Sequence, residues 1–557
     1  AEMRPKRLQV TDDLGGGVPG QLLRSDRRLV GRRRRCGTID EAMLRLEGLD
    51  RRLRRAFHIV FFDPRGVGGS GARDCPSAAR DWDQAVGSDA EAAQTFVTAC
   101  LAEASVAPEE LPRYATSQVV GDLEALRAHL GHERLVLYGE SYGTEVAQAY
   151  AIAHPDRVEA LVLDAPVDLA MSPHAFWLEA ARGFGETLEQ TFDACEGEPV
   201  CDFMPSPART YQRTVERLRA ESVTVDVPDG SGGTVAHLVT LEMFESMVAS
   251  AMYDPTGRGI VLRALAEVER GRWDYLARVL GDGSMAWEVD GLSSFAYYAV
   301  SCADEPFGGP ADVDDYLDRA QAAGIEDEPL GRVYYSGLPC LFWPHAPDAD
   351  SPGLSNAPFP VLVLTATADP ITTAGSARAL AARQPRAFLV ETEGGAHVTF
   401  GAGDSCVDAV VVELLVDRTE PRSTTRCRAE VADVELGITP LDADDYIDAL
   451  DAVASLDVEL WAAPELYWWD GVESVTFGCR YGGGVRASWD GDLVRVTLFD
   501  CAWADGLALD GNGTLDFESG ETRLRIVAPD TDVRYESGVG GWSIAGTWEG
   551  EPVDESG

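Results

Sequence analysis

Arg134-Leu-Val-Leu-Tyr-Gly-Glu-Ser-Tyr-Gly-Thr-Glu-Val-Ala-Gln-Ala-Tyr-Ala151 is the stretch whose reading decides the fold. Its first five residues form an apolar run of strand character, and the residues from Thr144 onward have helical composition. Between them stands Gly139-Glu-Ser-Tyr-Gly143. Small residues two before and two after a serine permit a sharp strand-to-helix turn, which lifts the serine hydroxyl clear of a sheet. The turn also places Ser141 at a helix N-terminus, where negative charge is favoured. The five-residue pattern is common by itself; correct flanks on both sides make it a nucleophile elbow.

A serine nucleophile needs a base, and the base needs an orienting acid. With an elbow of this kind the partners follow in the order serine, acid, histidine. Of eight histidines, only His397 lies beyond a second strand-like segment in that order. That segment, Phe359-Pro-Val-Leu-Val-Leu-Thr365, runs into Ala-Thr-Ala-Asp369-Pro370 and sets Asp369 at a strand end. A further short strand, Arg386-Ala-Phe-Leu-Val390, leads to Gly394-Gly-Ala-His397, a glycine-rich loop of the sort that carries chemistry. The reading is Ser141 as nucleophile, His397 as general base and then acid, and Asp369 as orienter. Asp164, in Leu161-Val-Leu-Asp-Ala-Pro166, is a rival acid, ranked below Asp369 as a structural turn carboxylate.

Three stretches carry a family resemblance: Asp63-Pro-Arg-Gly-Val-Gly-Gly-Ser70, the elbow, and the segment from Pro360 to Cys427. Together they resemble the proline iminopeptidase and tripeptidyl aminopeptidase family, in which tyrosine after the nucleophile is typical. Ser405-Cys-Val-Asp-Ala-Val-Val-Val-Glu413, Pro421 and Cys427 are similar to the C-terminal segment of the secreted tripeptidyl branch. The likeness runs from about residue 40 to about 430 and is weakest in the middle. It implies an α/β-hydrolase fold and an exported aminopeptidase that acts on peptides with a free N-terminus and needs no cofactor. Cap carboxylates bind the substrate ammonium in such enzymes, which points to Asp304 and Glu305 in Ser301-Cys-Ala-Asp-Glu-Pro306, with Glu140 a weaker candidate.

The resemblance also implies an oxyanion hole made by the Tyr142 N–H and one N–H from a His-Gly-Gly-Pro-Gly-like loop. Here that loop is reduced to Leu14-Gly-Gly-Gly-Val-Pro-Gly20, making Gly16 or Gly17 the second donor, and no strand is read ahead of it. Residues 1–37 are Arg-rich and pattern-free. Either the opening strands are truncated or replaced, or the gene is read out of frame there. The second reading is preferred, because family-like sequence resumes at about Gly37.

Composition narrows the partners. The net charge of −46 disfavours nucleic acid and anionic membrane surfaces. Residues 1–55 carry a net +7, leaving −53 on the rest; the run Arg32-Arg-Arg-Arg35 is not read as a nucleic-acid arm. Apolar stretches such as Ala409–Val416 are too short to span a membrane, and the first 30 residues lack a signal-peptide core. Eleven cysteines argue for an oxidising compartment. Spacing does not fix connectivity, but near-neighbour pairing matches the resembled secreted enzymes: Cys75–Cys100, Cys195–Cys201, Cys302–Cys340, Cys406–Cys427 and Cys479–Cys501, with Cys36 left over. No cysteine spacing suits a structural metal.

Residues 38–168 and 356–436 alternate strands such as Phe57–Phe62 with helices such as Asp122–Leu130, which predicts a doubly wound, mostly parallel α/β sheet. Residues 169–355, with helical runs Ala175–Arg182 and Asp312–Arg319, read as an inserted helical lid that sets access. Residues 437–557 open with an acidic helix, Asp442–Asp451. Alternating runs follow at Glu473–Phe477, Leu493–Phe499 and Thr522–Val527, separated by Asp490-Gly, Asp510-Gly-Asn-Gly and Ser519-Gly turns. This predicts a separate antiparallel β domain, a small sandwich or barrel. Asp510–Asp516 lacks the closing glutamate of a calcium loop and is read as a plain turn. Two other functions fit these residues: an esterase with the same three side chains, and a catalytically impaired binding protein whose β domain attaches it to a surface. The oligomeric state is not legible.

Overall fold

The computed structural model describes residues 7–12 (backbone only), 46, 48–85, 87, 89–196, 198, 201, 204, 206–281, 293–304, 307–344, 353–403, 405–434, 437–467, 469, 471, 473–491, 493–517 and 519–557. The first nine strands are β1 (Arg7–Asp12), β2 (Phe57–Phe61), β3 (Leu135–Glu140), β4 (Val158–Asp164), β5 (Val223–Pro228), β6 (Thr234–Val239), β7 (Val361–Ala366), β8 (Ala387–Glu393) and β9 (Thr424–Arg428). Seven of them form one sheet in the order β2-β1-β3-β4-β7-β8-β9, every pair parallel. Side chains alternate between its two faces. Leu135, Leu137, Leu161 and Val363 meet Val120, Leu123 and Tyr150 on one side. Val136, Val162, Leu362 and Leu364 meet Leu53, Val407 and Val411 on the other. Burial on both faces is why β3, β4 and β7 are near-continuous apolar runs.

The expectation that no strand precedes the glycine-rich stretch is corrected by β1, which pairs Leu8 with His58 of β2 and with Leu135 of β3. Only two apolar residues, Leu8 and Val10, alternate with polar ones in Arg7-Leu-Gln-Val-Thr-Asp12, a weak period-two signal beside so many arginines. Residues 13–45, with Gly16, Gly17, the Arg32–Arg35 run and Cys36, lie outside the described residues.

Between β4 and β7 the lid is mainly helical, with long helices Pro173–Cys195 and Pro255–Glu269 and the β5–β6 hairpin. All five near-neighbour disulfides are present. Cys195–Cys201 and Cys302–Cys340 lie in the lid, Cys75–Cys100 and Cys406–Cys427 brace the core, and Cys479–Cys501 lies in the C-terminal sheet. No helix among the described residues is long and apolar enough to cross a membrane.

The C-terminal strands are β10 (Val475–Gly478), β11 (Gly484–Asp490), β12 (Leu493–Ala504), β13 (Leu507–Asp516), β14 (Glu521–Ala528), β15 (Thr531–Gly538), β16 (Gly541–Trp548) and β17 (Glu551–Ser556). They form one antiparallel meander in chain order. The expected sandwich or barrel is therefore corrected: the inward face is covered by the helix Ala449–Trp461, whose Val453, Leu456 and Leu460 pack against Val496, Leu498 and Ile526. That helix begins at Ala449, with the Asp448 carboxylate accepting the Asp451 N–H, so the expected helix over Asp442–Asp451 is corrected to a short 3-10 turn, Ala443–Asp445, followed by a break before the α-helix. Asp510-Gly-Asn-Gly is likewise not a turn but part of β13. Its glycines allow close strand approach: a Cβ on Gly513 would sit 2.1 Å from the Arg523 carbonyl oxygen.

The sheet docks on the lid. A Cβ on Gly478 would fall 2.3 Å from the carbonyl oxygen of Pro228 in the lid hairpin. Glu459 takes lid Arg263 at 2.8 Å and Arg480 at 3.0 Å, while lid Arg278 reaches Glu465 at 2.6 Å.

Candidate active site

Ser141 falls between the last residue of β3 and the first of the helix Tyr142–Ala153, with φ 49° and ψ −120°. That left-handed backbone is costly for a side-chain-bearing residue and persists only where the surroundings enforce it. Here the Ser141 N–H donates to the Asp164 carbonyl at 3.0 Å, and the Thr144 N–H donates to the Ser141 carbonyl at 3.0 Å. The turn is tight enough that a Cβ on Gly139 would lie 2.3 Å from the Gly143 carbonyl oxygen. Since the obstacle is backbone, Gly139→Ala is expected to destabilise the protein by at least about 2–3 kcal/mol in denaturant unfolding. Tyr142 occupies the first helical position, where main-chain N–H groups point out of the helix start.

Asp369 follows β7, and its carboxylate is held on several sides. Oδ1 accepts the Ile371 and Thr372 N–H groups, both at 3.0 Å, and Oδ2 accepts the Thr372 hydroxyl at 2.7 Å. His397 Nδ1 stands 2.9 Å from Oδ2 and 3.0 Å from Oδ1. A carboxylate at Nδ1 selects the tautomer with its proton there, which puts the basic lone pair on Nε2. The imidazole is fully buried. Its main-chain N–H donates to the Tyr253 carbonyl at 2.8 Å, and the Tyr253 ring stands edge-on to it at 5.2 Å. Tyr253 belongs to the lid, as does Gly183, on which a Cβ would come 2.5 Å from the Pro370 carbonyl oxygen.

Asp164, the rival acid, faces the other way. Its carboxylate accepts the Thr399 N–H at 3.1 Å, the Thr399 hydroxyl at 3.0 Å, the Phe400 N–H at 2.8 Å and the Tyr138 hydroxyl at 3.1 Å. Its carbonyl takes the Ser141 N–H, so this residue ties the elbow to the His397 loop. Burial raises its pKa above the ordinary carboxylate value, although the Phe400 and Thr399 bonds oppose the rise. A raised folded pKa means this group favours folding most below the unfolded carboxylate value, and the contribution declines as pH rises through the folded value. Asp164→Asn is expected to flatten that part of the stability–pH curve. Asp164→Ala leaves buried amides without an acceptor and should lower stability by about 3 kcal/mol, checked by chemical unfolding at several pH values.

Glu140 is 3% exposed and shares the Tyr138 hydroxyl with Asp164, at 2.7 Å, a placement suited to supporting the elbow. Asp304 accepts the Thr116 N–H at 2.9 Å, and the Thr116 hydroxyl bonds the Tyr142 hydroxyl, so this carboxylate lies two contacts from the residue after Ser141. Glu305, Gly16 and Gly17 lie outside the described residues. Three neighbours of the site were not legible in the sequence: Thr372, Tyr253 and Glu179. Glu179, on the lid helix Pro173–Cys195, accepts the hydroxyls of Ser376, at 2.6 Å, and Thr373 just beyond the acid. Among the described residues no group of histidine, cysteine and carboxylate side chains has the arrangement of a metal site.

A family model described as alpha/beta hydrolase fold matches residues 46–404. The chain is 28% identical over 430 residues to the serine protease Hip1 of Mycobacterium tuberculosis, covering 70% of this chain and 78% of that protein. It is 26% identical over 392 residues to the tripeptidyl aminopeptidase of Streptomyces lividans, covering 67% and 70%. Over 281 residues it is 27% identical to the carboxylesterase B of Mycobacterium tuberculosis, covering 48% and 52%.

Proposed function

Since the chain belongs to the α/β-hydrolase fold family, we propose that it is an exported serine peptidase that removes a proline residue or short peptides from free N-termini. The observation that carries this reading is the buried His397–Asp369 pair together with a strained serine elbow, which Asp164 ties to the loop that follows His397. Ser141 Oγ attacks the scissile carbonyl while His397 Nε2 takes its proton. The imidazolium, steadied by Asp369, then protonates the leaving amine, and water releases the acyl group by the same route in reverse. The Tyr142 N–H and one from Gly16 or Gly17 receive the oxyanion, each donor being worth roughly two to three orders of magnitude in rate. Asp304 and Glu305 are the carboxylates assigned to the substrate ammonium, through a charge-assisted hydrogen bond.

Two relatives, a serine protease and a tripeptidyl aminopeptidase, support amide bonds as substrates. Five disulfides support an oxidising compartment outside the cytosol. The similarity to carboxylesterase B favours a second reading, an esterase with the same three residues. A panel of aminoacyl and tripeptidyl chromogenic amides against simple esters separates the two. Turnover of tripeptidyl or prolyl amides with a free amine, lost on N-acetylation, is the expected result. Activity on esters alone overturns the peptidase reading, and no labelling of Ser141 by a fluorophosphonate overturns both.

A further inference from the structure

Arg258 is fully buried, near the start of the lid helix Pro255–Glu269. All five of its N–H donors are used, and every acceptor is a main-chain carbonyl. Nε donates to Met252 at 2.9 Å, and Nη2 donates to Met252 at 2.6 Å and Ala368 at 2.5 Å. Nη1 donates to Gly395 at 2.8 Å and Val431 at 2.7 Å. The positions of those acceptors are informative. Ala368 immediately precedes Asp369, Gly395 lies two residues before His397, and Met252 immediately precedes Tyr253, whose carbonyl holds the His397 N–H. One planar cation therefore spans the acid loop, the base loop and the lid turn that backs the imidazole.

Resting on the reading of Ser141, His397 and Asp369 as the reacting set, we propose that Arg258 is a positioning residue that fixes the spacing of the Asp369 and His397 loops through the lid. A carboxylate accepting these bonds would make Arg258 half of an ion pair; four main-chain carbonyls make it a template whose fork geometry sets distances. Displacements of about 1 Å at a reacting centre cost about two orders of magnitude in rate. Lysine keeps the charge but offers three donors on one nitrogen, so it does not reach four separated carbonyls in the same plane.

The test compares parent, Arg258→Lys and Arg258→Met in the full chain. It measures both the rate constant and the amplitude of fluorophosphonate labelling at Ser141, mapped by peptide. The folded fraction of each variant is measured by circular dichroism and the rate constant is divided by it, so a purely structural role leaves the corrected rate constant unchanged, and amplitude reports protein that is irreversibly misfolded. The expected result is a fall of about 10²-fold in the rate constant for both variants, with KM on a turned-over substrate little changed. A folded variant whose rate constant stays within about threefold of the parent overturns the inference. If neither variant folds, hydrogen exchange in the parent decides. Peptides covering 366–370 and 393–398 should exchange as slowly as those from β7, and fast exchange there overturns the proposal. Absence of labelling at Ser141 in the parent is a different failure, that of the hydrolase reading itself.

Discussion

Replacing Ser141 with alanine is expected to abolish fluorophosphonate labelling and to lower kcat on any substrate by about 10⁶-fold. The effect should be this large because the serine, its base and the orienting acid act as one unit, so removing the nucleophile removes nearly all that the set contributes. Alanine at φ 49° is no more strained than serine, so the elbow should keep its shape. The residual rate over water then reports the oxyanion donors and substrate binding alone. A variant retaining more than a few per cent of parent activity would mean that chemistry passes through another group.

Asp369→Asn is expected to lower kcat by about 10⁴-fold with KM nearly unchanged. Its carboxylate takes two N–H groups and a hydroxyl besides His397 Nδ1, and an asparagine carbonyl still satisfies the N–H groups of Ile371 and Thr372. The amide NH₂ then faces Nδ1 as a donor. That selects the tautomer with the proton on Nε2, where the base needs its lone pair. The loss should therefore come without unfolding, seen as an unchanged melting temperature beside a collapsed rate. Equal activity in parent and variant would remove Asp369 from its role, and the buried Asp164, already committed to Thr399 and Phe400, would be a poor replacement.

The tight turn at Ser141 and the pairing of Asp369 with His397 were legible because each residue sits in a local pattern: a strand run, a turn residue, a glycine loop. The parallel sheet followed from the same runs, since strands buried on both faces advertise themselves. What escaped the sequence depends on partners far along the chain. Arg258 bonds carbonyls 110, 137 and 173 residues away, and a carbonyl oxygen has no residue signature. Tyr253 holds His397 through its main chain for the same reason. β1 was missed because two apolar residues are too few to show a period. The C-terminal strands were visible as alternating runs, and an acidic helix was read ahead of them, but over Asp442–Asp451; the helix that covers the sheet runs Ala449–Trp461, with Asp448 as its cap. Asp510-Gly-Asn-Gly carries turn chemistry and yet lies in a strand, because the neighbouring main chain leaves no room for side chains there.

The seam between lid and C-terminal sheet has a practical side. Arg263, Glu267 and Arg278 send their charges into a layer whose counter-charges, Glu459, Arg480 and Glu465, belong to the other half. Cutting the chain after the hydrolase core would remove those counter-charges together with the layer that covers them, opening to water a lid face whose charges are matched to the sheet. The hydrolase half is thus not a self-contained module: a trimmed version presents to solvent a surface shaped and charged for the sheet.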